Sequence, residues 1–258
     1  MYKYADCADY IKSFTDDQIF LMGTILIYFI TLWGNIFIVM LIDYLNILQK
    51  YKIQKDKKPE LSLIYEALST VIIGHSLFIP LLLYYYKPSY LNITMKYEEL
   101  PSLIECILIL ILWQFLFDTY FYWTHRLLHH SLIYQYIHKQ HHKFKVPVGI
   151  SALYAHPIED LLVNNISTFI GPLLYPSHFY LWLIHLGLRF HETVDAHSGY
   201  IFPWSPWKLL TIYIHGGALR HDWHHSNQVG NYGGYIFWDW FCGTDKSYKK
   251  WLEKNKEL

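Results

Sequence analysis

The chain is 258 residues long, 53% hydrophobic and 19% aromatic but only 16% charged, which excludes an ordinary soluble domain and points to a membrane protein. Lys plus Arg and Asp plus Glu each total 21, so the formal net charge is zero and nothing argues for a nucleic-acid partner. Cys7, Cys106 and Cys242 are scattered without CxxC spacing, against 16 histidines; this excludes a disulfide framework or zinc knuckle and leaves nitrogen as the donor for any metal.

The N-terminal stretch MYKYADCADYIKSFTDD is polar and acidic, and the first apolar run is too long for the core of a cleaved signal, so that run is read as a retained anchor. Residues 1–18 are expected to be a lumenal N-terminus. Crossing a hydrocarbon layer of roughly 30 Å takes about 20 helical residues, and three stretches qualify: 19–45, 61–86 and 103–123. The first two, with their loops, make up residues 19–100.

Orientation follows from the loops. The connection at 46–60 carries Lys50, Lys52, Lys55, Lys57 and Lys58, which marks it as cytosolic. Counting crossings puts the 87–100 loop in the lumen and returns the third helix to the cytosol just before His125. A fourth apolar stretch at 161–190 is interrupted by Gly171, Pro172 and Pro176. It is read as a helical hairpin, about 158–190, that enters and leaves on one side with its turn at the Gly-Pro-Leu-Leu-Tyr-Pro centre, 171–176. Residues 101–248 then form one catalytic unit and 249–258 a cytosolic tail, in which Lys254 and Lys256 have the spacing of a di-lysine endoplasmic reticulum retrieval signal. The fold expected is all-α: a polytopic membrane bundle with a cytosolic, histidine-rich helical cap holding two metals.

The chemistry lies in repeated histidines. His125 and His129 form HxxxH, His138, His141 and His142 form HxxHH, and His221, His224 and His225 form HxxHH again. Residues three and four apart share a helix face, near enough for two imidazoles to meet one ion. With 16 histidines in 258 residues, one HxxHH is expected by chance about 0.05 times and two about 0.001 times. Eight histidines exceed the three or four that one tetrahedral ion takes, so two metals fit the count. Zinc, copper, iron and nickel all accept imidazole. The zinc-hydrolase pattern HExxH is missing, and His191-Glu192 does not continue into it.

The order HRLLH, HKQHH, VDAHSGY, HDWHH closely resembles the fatty acid hydroxylase superfamily of membrane non-haem di-iron enzymes. The segments around Tyr154-Ala155-His156-Pro157, Thr193 to Tyr200, and Gly230-Asn231-Tyr232 through Asp239 to Asp245 look most like its 4-methylsterol monooxygenase branch. The likeness spans roughly 117–248 and is less specific for substrate, because sterol 25-hydroxylases carry a similar HSGY-FPW segment. It implies nine metal ligands: His125, His129, His138, His141, His142, His197, His221, His224 and His225. His197 enters by resemblance alone, since a lone histidine after Asp195 is more often a hydrogen-bonded structural residue. Arg220 stands where many relatives have another histidine, with consequences for the surroundings of the metals or the approach of a substrate hydroxyl. His191 stands where many have none, as a spare ligand or a structural histidine.

Ligating imidazoles usually give their second N–H to a carboxylate or carbonyl, and Asp118, Glu159, Asp195, Asp222 and Asp239 are the candidate acceptors, with His156 and His191 also near the boxes. Asp118 and Glu159 are the more telling, because a carboxylate near a bilayer is costly and usually functional. Phe202, Trp204, Trp207, Trp223, Trp238 and Trp240 are candidates to line a lipid access route or to form an interfacial belt. The resemblance implies two irons, a bilayer sterol oxidised by O2 at its C-4 methyl group, and electrons from NAD(P)H through a separate reductase and cytochrome b5. No Gly-rich dinucleotide motif or haem pocket signature is present in the chain itself. Other reactions of such a site are sterol side-chain hydroxylation, C-5 desaturation, side-chain dealkylation and sphingolipid hydroxylation; a zinc membrane hydrolase is the alternative outside it.

Overall fold

The structure is a computed structural model that describes residues 14–85, 91–207 and 217–255. Residues 1–13, the start of the 87–100 loop and Lys256 of the retrieval pair lie outside the described residues. All regular elements among the described residues are helices.

Helix α1 (Asp16–Ile27) starts at a capping box: Gln18 N–H donates to Thr15 Oγ1 at 3.3 Å, and Thr15 N–H donates to Gln18 Oε1 at 2.8 Å. It passes through one π-helical stretch, Tyr28–Trp33, into α2 (Gly34–Tyr44). Within that stretch Thr31 Oγ1 donates to the Ile27 carbonyl at 2.6 Å and Asn35 Nδ2 to the Thr31 carbonyl, so side chains satisfy backbone that a wider turn disturbs. Helix α3 spans Leu61–Tyr85. Helix α4 (Leu103–Leu128) opens on a second capping box, Ser102 with Glu105, and runs past the apolar 103–123 stretch, so that His125 is on the helix and not beyond it. Asp16–Tyr44 and Leu103–Leu128 are long and apolar enough to cross a membrane.

The hairpin forms from α6 (Pro157–Glu159), a π-helical stretch Asp160–Asn165, α7 (Ile166–Leu174) and α8 (Phe179–Ala196); the four-residue α5 (Ser131–Tyr134) precedes it. Its turn falls at the C-terminal end of the 171–176 centre that the sequence suggests. Pro172 lies inside α7 and the chain reverses at 175–178. Gly171 serves packing instead, because a Cβ there would stand 2.9 Å from the Cβ, Cγ and Cδ1 of Trp113 on α4. Trp113 is fully buried and its Nε1 donates to the Tyr175 carbonyl at 2.9 Å, closing the end of α7. Helix α8 packs against α1, the first π stretch, α4 and α9 (Gly217–Asn227). Helices α10 (Phe237–Cys242) and α11 (Lys246–Lys254) complete the chain.

The lysine-rich connection after α2 docks on the histidine-bearing elements. Ile53 N–H donates to the Gly199 carbonyl at 2.9 Å, and Gln54 Nε2 donates to Asp222 Oδ1 and the Lys145 carbonyl, each at 2.9 Å. Lys52, buried, pairs with Asp43, which also accepts from Tyr200 Oη at 2.7 Å.

Candidate metal centre

The histidine boxes come from four places: His125 on the last turn of α4 with His129 as its C-cap, His138 to His142 on irregular turns after α5, His197 as the C-cap of α8, and the third box on α9. Together they make two groups. One holds His125, His129, His138, His142 and His224; the other holds His141, His197, His221 and His225; within each group the ligand atoms lie within 4.8 Å of one another. The first box serves one group alone, and each HxxHH box serves both. The i,i+4 pairs His138/His142 and His221/His225 each stay together, whereas the i+3 members His141 and His224 cross to the opposite group. Each HxxHH motif therefore gives two rings to one group and one to the other.

Backbone carbonyls set the ring orientations. His125 Nδ1 bonds the Tyr232 carbonyl at 2.7 Å, His141 Nδ1 the Tyr154 carbonyl at 3.2 Å, His197 Nδ1 the Thr193 carbonyl at 2.7 Å, His224 Nδ1 the Gly230 carbonyl at 2.6 Å and His225 Nδ1 the Phe144 carbonyl at 3.0 Å. His138 Nδ1 bonds Glu159 Oε1 at 2.9 Å. A carbonyl oxygen only accepts, so each of those Nδ1 atoms carries the proton and each Nε2 is left as a bare lone pair.

Those lone pairs converge. In the five-histidine group His138 Nε2 is 3.0 Å from the Nε2 atoms of His125 and His142. In the other group His197 Nε2 is 3.3 Å from His141 Nε2 and 2.9 Å from His221 Nε2, which is 3.1 Å from His225 Nε2. Acceptors facing acceptors in a buried space repel unless a cation or a proton lies between them. Protonation is disfavoured: burial pushes His197 down to about 4, and the same desolvation holds His138, His141, His142, His221, His224 and His225 well below the usual histidine range. The donor set therefore fits metal ions, one to each group, with neutral imidazoles ready to ligate.

The candidate acceptors divide by position. Glu159 bonds a ring directly. Asp239, fully buried, acts through backbone: it accepts from the amides of Tyr232 at 2.9 Å and Gly233 at 2.8 Å and from Thr244 Oγ1 at 2.5 Å, fixing the loop whose carbonyl holds His125. Asp118 accepts from the Tyr235 amide at 2.9 Å and steadies the same loop. Asp222 accepts from Gln54, and burial pushes its carboxyl up to about 7. Asp195 is buried, and its carbonyl accepts from Ser198 Oγ at 2.8 Å in the turn after His197. His156 caps α6 through Nδ1, and His191 rests half-buried against Trp207; neither belongs to a metal group. Arg220 ion-pairs with Asp239 and donates to the Gly233 carbonyl at 3.1 Å.

A cavity opens beside the histidines. It is bordered by His125, His138, His141, His197 and His221, and follows one face of α8 through Thr193, Arg189, Leu186 and Trp182 to Thr24 and Phe169. At a rise of 1.5 Å per residue, the fifteen residues from Trp182 to His197 make it about 22 Å long. None of Phe202, Trp204, Trp207, Trp223, Trp238 and Trp240 borders it; the aromatic walls are Tyr28, Phe117, Phe121, Phe169, Trp182 and Phe190. Trp204 and Trp240 are 57% and 61% exposed. Sequence reasoning missed the buried Arg189–Glu192 ion pair along this cavity, with the Arg189 guanidinium 3.2 Å from the Phe117 ring centroid. An arginine in an apolar hairpin was the available signal.

The profile of the fatty acid hydroxylase family matches residues 110–244. Methylsterol monooxygenase 1 of Rattus norvegicus is 37% identical over 261 residues, covering 96% of this chain and 85% of that protein. Methylsterol monooxygenase 1 of Gallus gallus is 37% identical over 258 residues, covering 96% and 83%. A very-long-chain aldehyde decarbonylase of Oryza sativa subsp. indica is 34% identical over 252 residues, covering 93% and 90%. No solved structure matches the chain.

Proposed function

The chain belongs to the fatty acid hydroxylase family, and from that premise we propose that it is a non-haem di-iron monooxygenase that oxidises the C-4 methyl group of 4-methylsterols. The observation that carries the reading is the pair of inward-facing imidazole groups at the head of a long, mostly apolar cavity. Methylsterol monooxygenases as relatives over nearly the whole chain support the substrate.

Bound iron supplies the O2 activation needed to attack an unactivated methyl C–H bond. The chain's own residues do the rest. Nine histidines hold the metals, Glu159 and five backbone carbonyls fix six of the rings, and Phe117, Phe121 and Phe190 keep water from the reacting carbon. Electrons are proposed to arrive from NAD(P)H through a separate reductase and cytochrome b5, because the chain has no nucleotide-binding motif of its own.

The proposed setting is the endoplasmic reticulum membrane, with several helices crossing and the histidine cap cytosolic. The docking of Gln54, from the lysine-rich connection, on Asp222 and Lys145 beside the boxes supports a common side for the two.

The test is sterol profiling of cells that lack the protein, rescued with wild type or with His141→Ala. Accumulated 4-methylsterols cleared by wild type alone are expected. Accumulation of a different lipid would retain the oxidase and reassign its substrate; very-long-chain aldehydes would favour the decarbonylase relative's chemistry. No lipid change would remove the reading.

A further inference from the structure

The charged groups bordering the cavity are nearly all matched. Arg189 pairs with Glu192, and Arg220 with Asp239. Glu159 differs. It is 4% exposed and borders the cavity, and its Oε1 accepts from His138 Nδ1 at 2.9 Å, but Oε2 has no hydrogen-bond partner among the described residues. A buried carboxylate oxygen without a donor is costly and calls for one. The residues bordering this part of the cavity include no hydroxyl or amide that reaches it.

We propose that Glu159 is a specificity-determining residue whose Oε2 accepts a hydrogen bond from the 3-hydroxyl of the bound sterol. This rests on the sterol reading above and adds the group that sets the ring's position. The geometry favours it. Glu159 is separated from the histidine group by one imidazole, since the far nitrogen of His138, Nε2, is 3.0 Å from the Nε2 atoms of His125, His129 and His142. In a 4-methylsterol the hydroxyl-bearing C-3 adjoins C-4. A sterol held by its hydroxyl at Glu159 thus presents the C-4 methyl groups toward the metals, while its apolar rings and side chain follow α8 toward Trp182 and Phe169. One oxygen of Glu159 orients a ligand ring and the other orients the substrate, so the metal and the reacting carbon share a reference point.

The experiment is equilibrium binding of two radiolabelled sterols to the full chain in detergent, without reductant so that no turnover occurs. The sterols are 4,4-dimethylsterol and its 3-ketone, which cannot donate. Wild type is expected to bind the alcohol about tenfold more tightly or better. In Glu159→Gln the amide oxygen keeps the His138 contact and the amide N–H2 replaces Oε2 as a donor, so the alcohol-to-ketone preference should fall about tenfold or reverse. A role confined to holding His138 would lower both affinities alike and leave the ratio unchanged, which overturns the proposal. Should the variant fail to fold, wild type alone still decides: equal affinity for the two sterols overturns it. Oxidation of the alcohol by reconstituted wild type is measured alongside. Activity with no alcohol preference sinks the Glu159 contact only, and the absence of both sterol binding and sterol oxidation sinks the function reading and this inference with it.

Discussion

Replacing Asp239 should separate the two metal groups. Its carboxylate is fully buried, pairs with a buried Arg220, and accepts from the Tyr232 and Gly233 amides and from Thr244. In Asp239→Ala the Arg220 charge is left without its counter-ion, at about 3–5 kcal/mol. Two backbone N–H groups also lose their acceptor, at about 1–3 kcal/mol each. The total reaches the whole stability of an ordinary domain, about 5–15 kcal/mol, so the alanine variant should not accumulate folded. Asp239→Asn keeps an acceptor and loses the charge, which leaves about 3 kcal/mol of destabilisation. Its effect on metal should be selective: the Tyr232 carbonyl orients His125, a member of the five-histidine group, and touches no ring of the four-histidine group. Metal analysis of the purified protein should show a fall from two ions toward one per chain, with thermal unfolding at lower temperature. Adding Arg220→Met to Asp239→Asn removes the orphaned charge and should recover part of the stability but not the second metal. Two ions and an unshifted melting temperature in Asp239→Asn would refute the claim that this carboxylate organises the loop.

Other outcomes follow from the same geometry. His197→Ala should lose metal from the four-histidine group, while His191→Ala, whose ring rests near Trp207 and outside both groups, should keep both ions by the same elemental analysis. Gly171→Ala forces a methyl into contact with the fully buried Trp113, which should cost about 1–3 kcal/mol; an unchanged unfolding temperature would mean that α4 and α7 separate freely. The pH dependence has a definite sign. The His197 pKa is pushed down to about 4 by burial from an unfolded value of about 6.5, so below that value the unfolded chain binds a proton that the folded chain refuses. Stability is complete above about pH 6.5 and declines by about 1.4 kcal/mol per pH unit for each such ring as pH falls toward 4. Metal release followed by titration should occur in that window with several protons taken up together; release that is flat from pH 7 to 4 would contradict buried, neutral ligands.

Much of the centre was legible in the sequence because metal ligation restricts residue type and spacing at once. The repeated HxxHH pointed to two faces, and all eight histidines of the three boxes, with His197, lie in the two groups. The partition between them was not legible. It depends on where α4, α8 and α9 meet, a matter of packing between segments distant in sequence, and on the turns and short 3-10 helix that carry His138 to His142. The acceptors for the ring N–H groups were also hidden, since five of six are backbone carbonyls and carry no residue-type signal. Glu159 was legible because a carboxylate is chemically conspicuous in an apolar stretch. The role of Gly171 was hidden for a related reason: glycine marks both a turn and a close approach of helices, and only the presence of Trp113 on α4 tells which.

Arg189 shows how hydropathy and chemistry can be read from one residue. Its stretch is apolar enough to pass for membrane, yet a charge at that depth needs a reason. The structure places it with Glu192 and against Phe117, three residues belonging to two helices that also carry His125 and His197. A guanidinium seated on a ring face cannot slide along an apolar surface as a leucine can, because each displacement breaks a directional contact in low dielectric. Glu192, one turn along the same helix, holds Arg189 in place, and the seat of Arg189 on Phe117 fixes α8 against α4 at one height. That height sets the separation of His197 from His125, and so the spacing of the two metal groups. Arg189→Met by itself removes the cation facing a buried carboxylate, at about 3–5 kcal/mol, so Arg189→Met with Glu192→Gln is the fair comparison. If the pair is a spacer, that double variant should unfold near the wild-type temperature yet hold its two metals at an altered distance, visible as a changed coupling between them once both sites are filled with paramagnetic ions. An unchanged coupling would assign the spacing to the carbonyl-held rings alone.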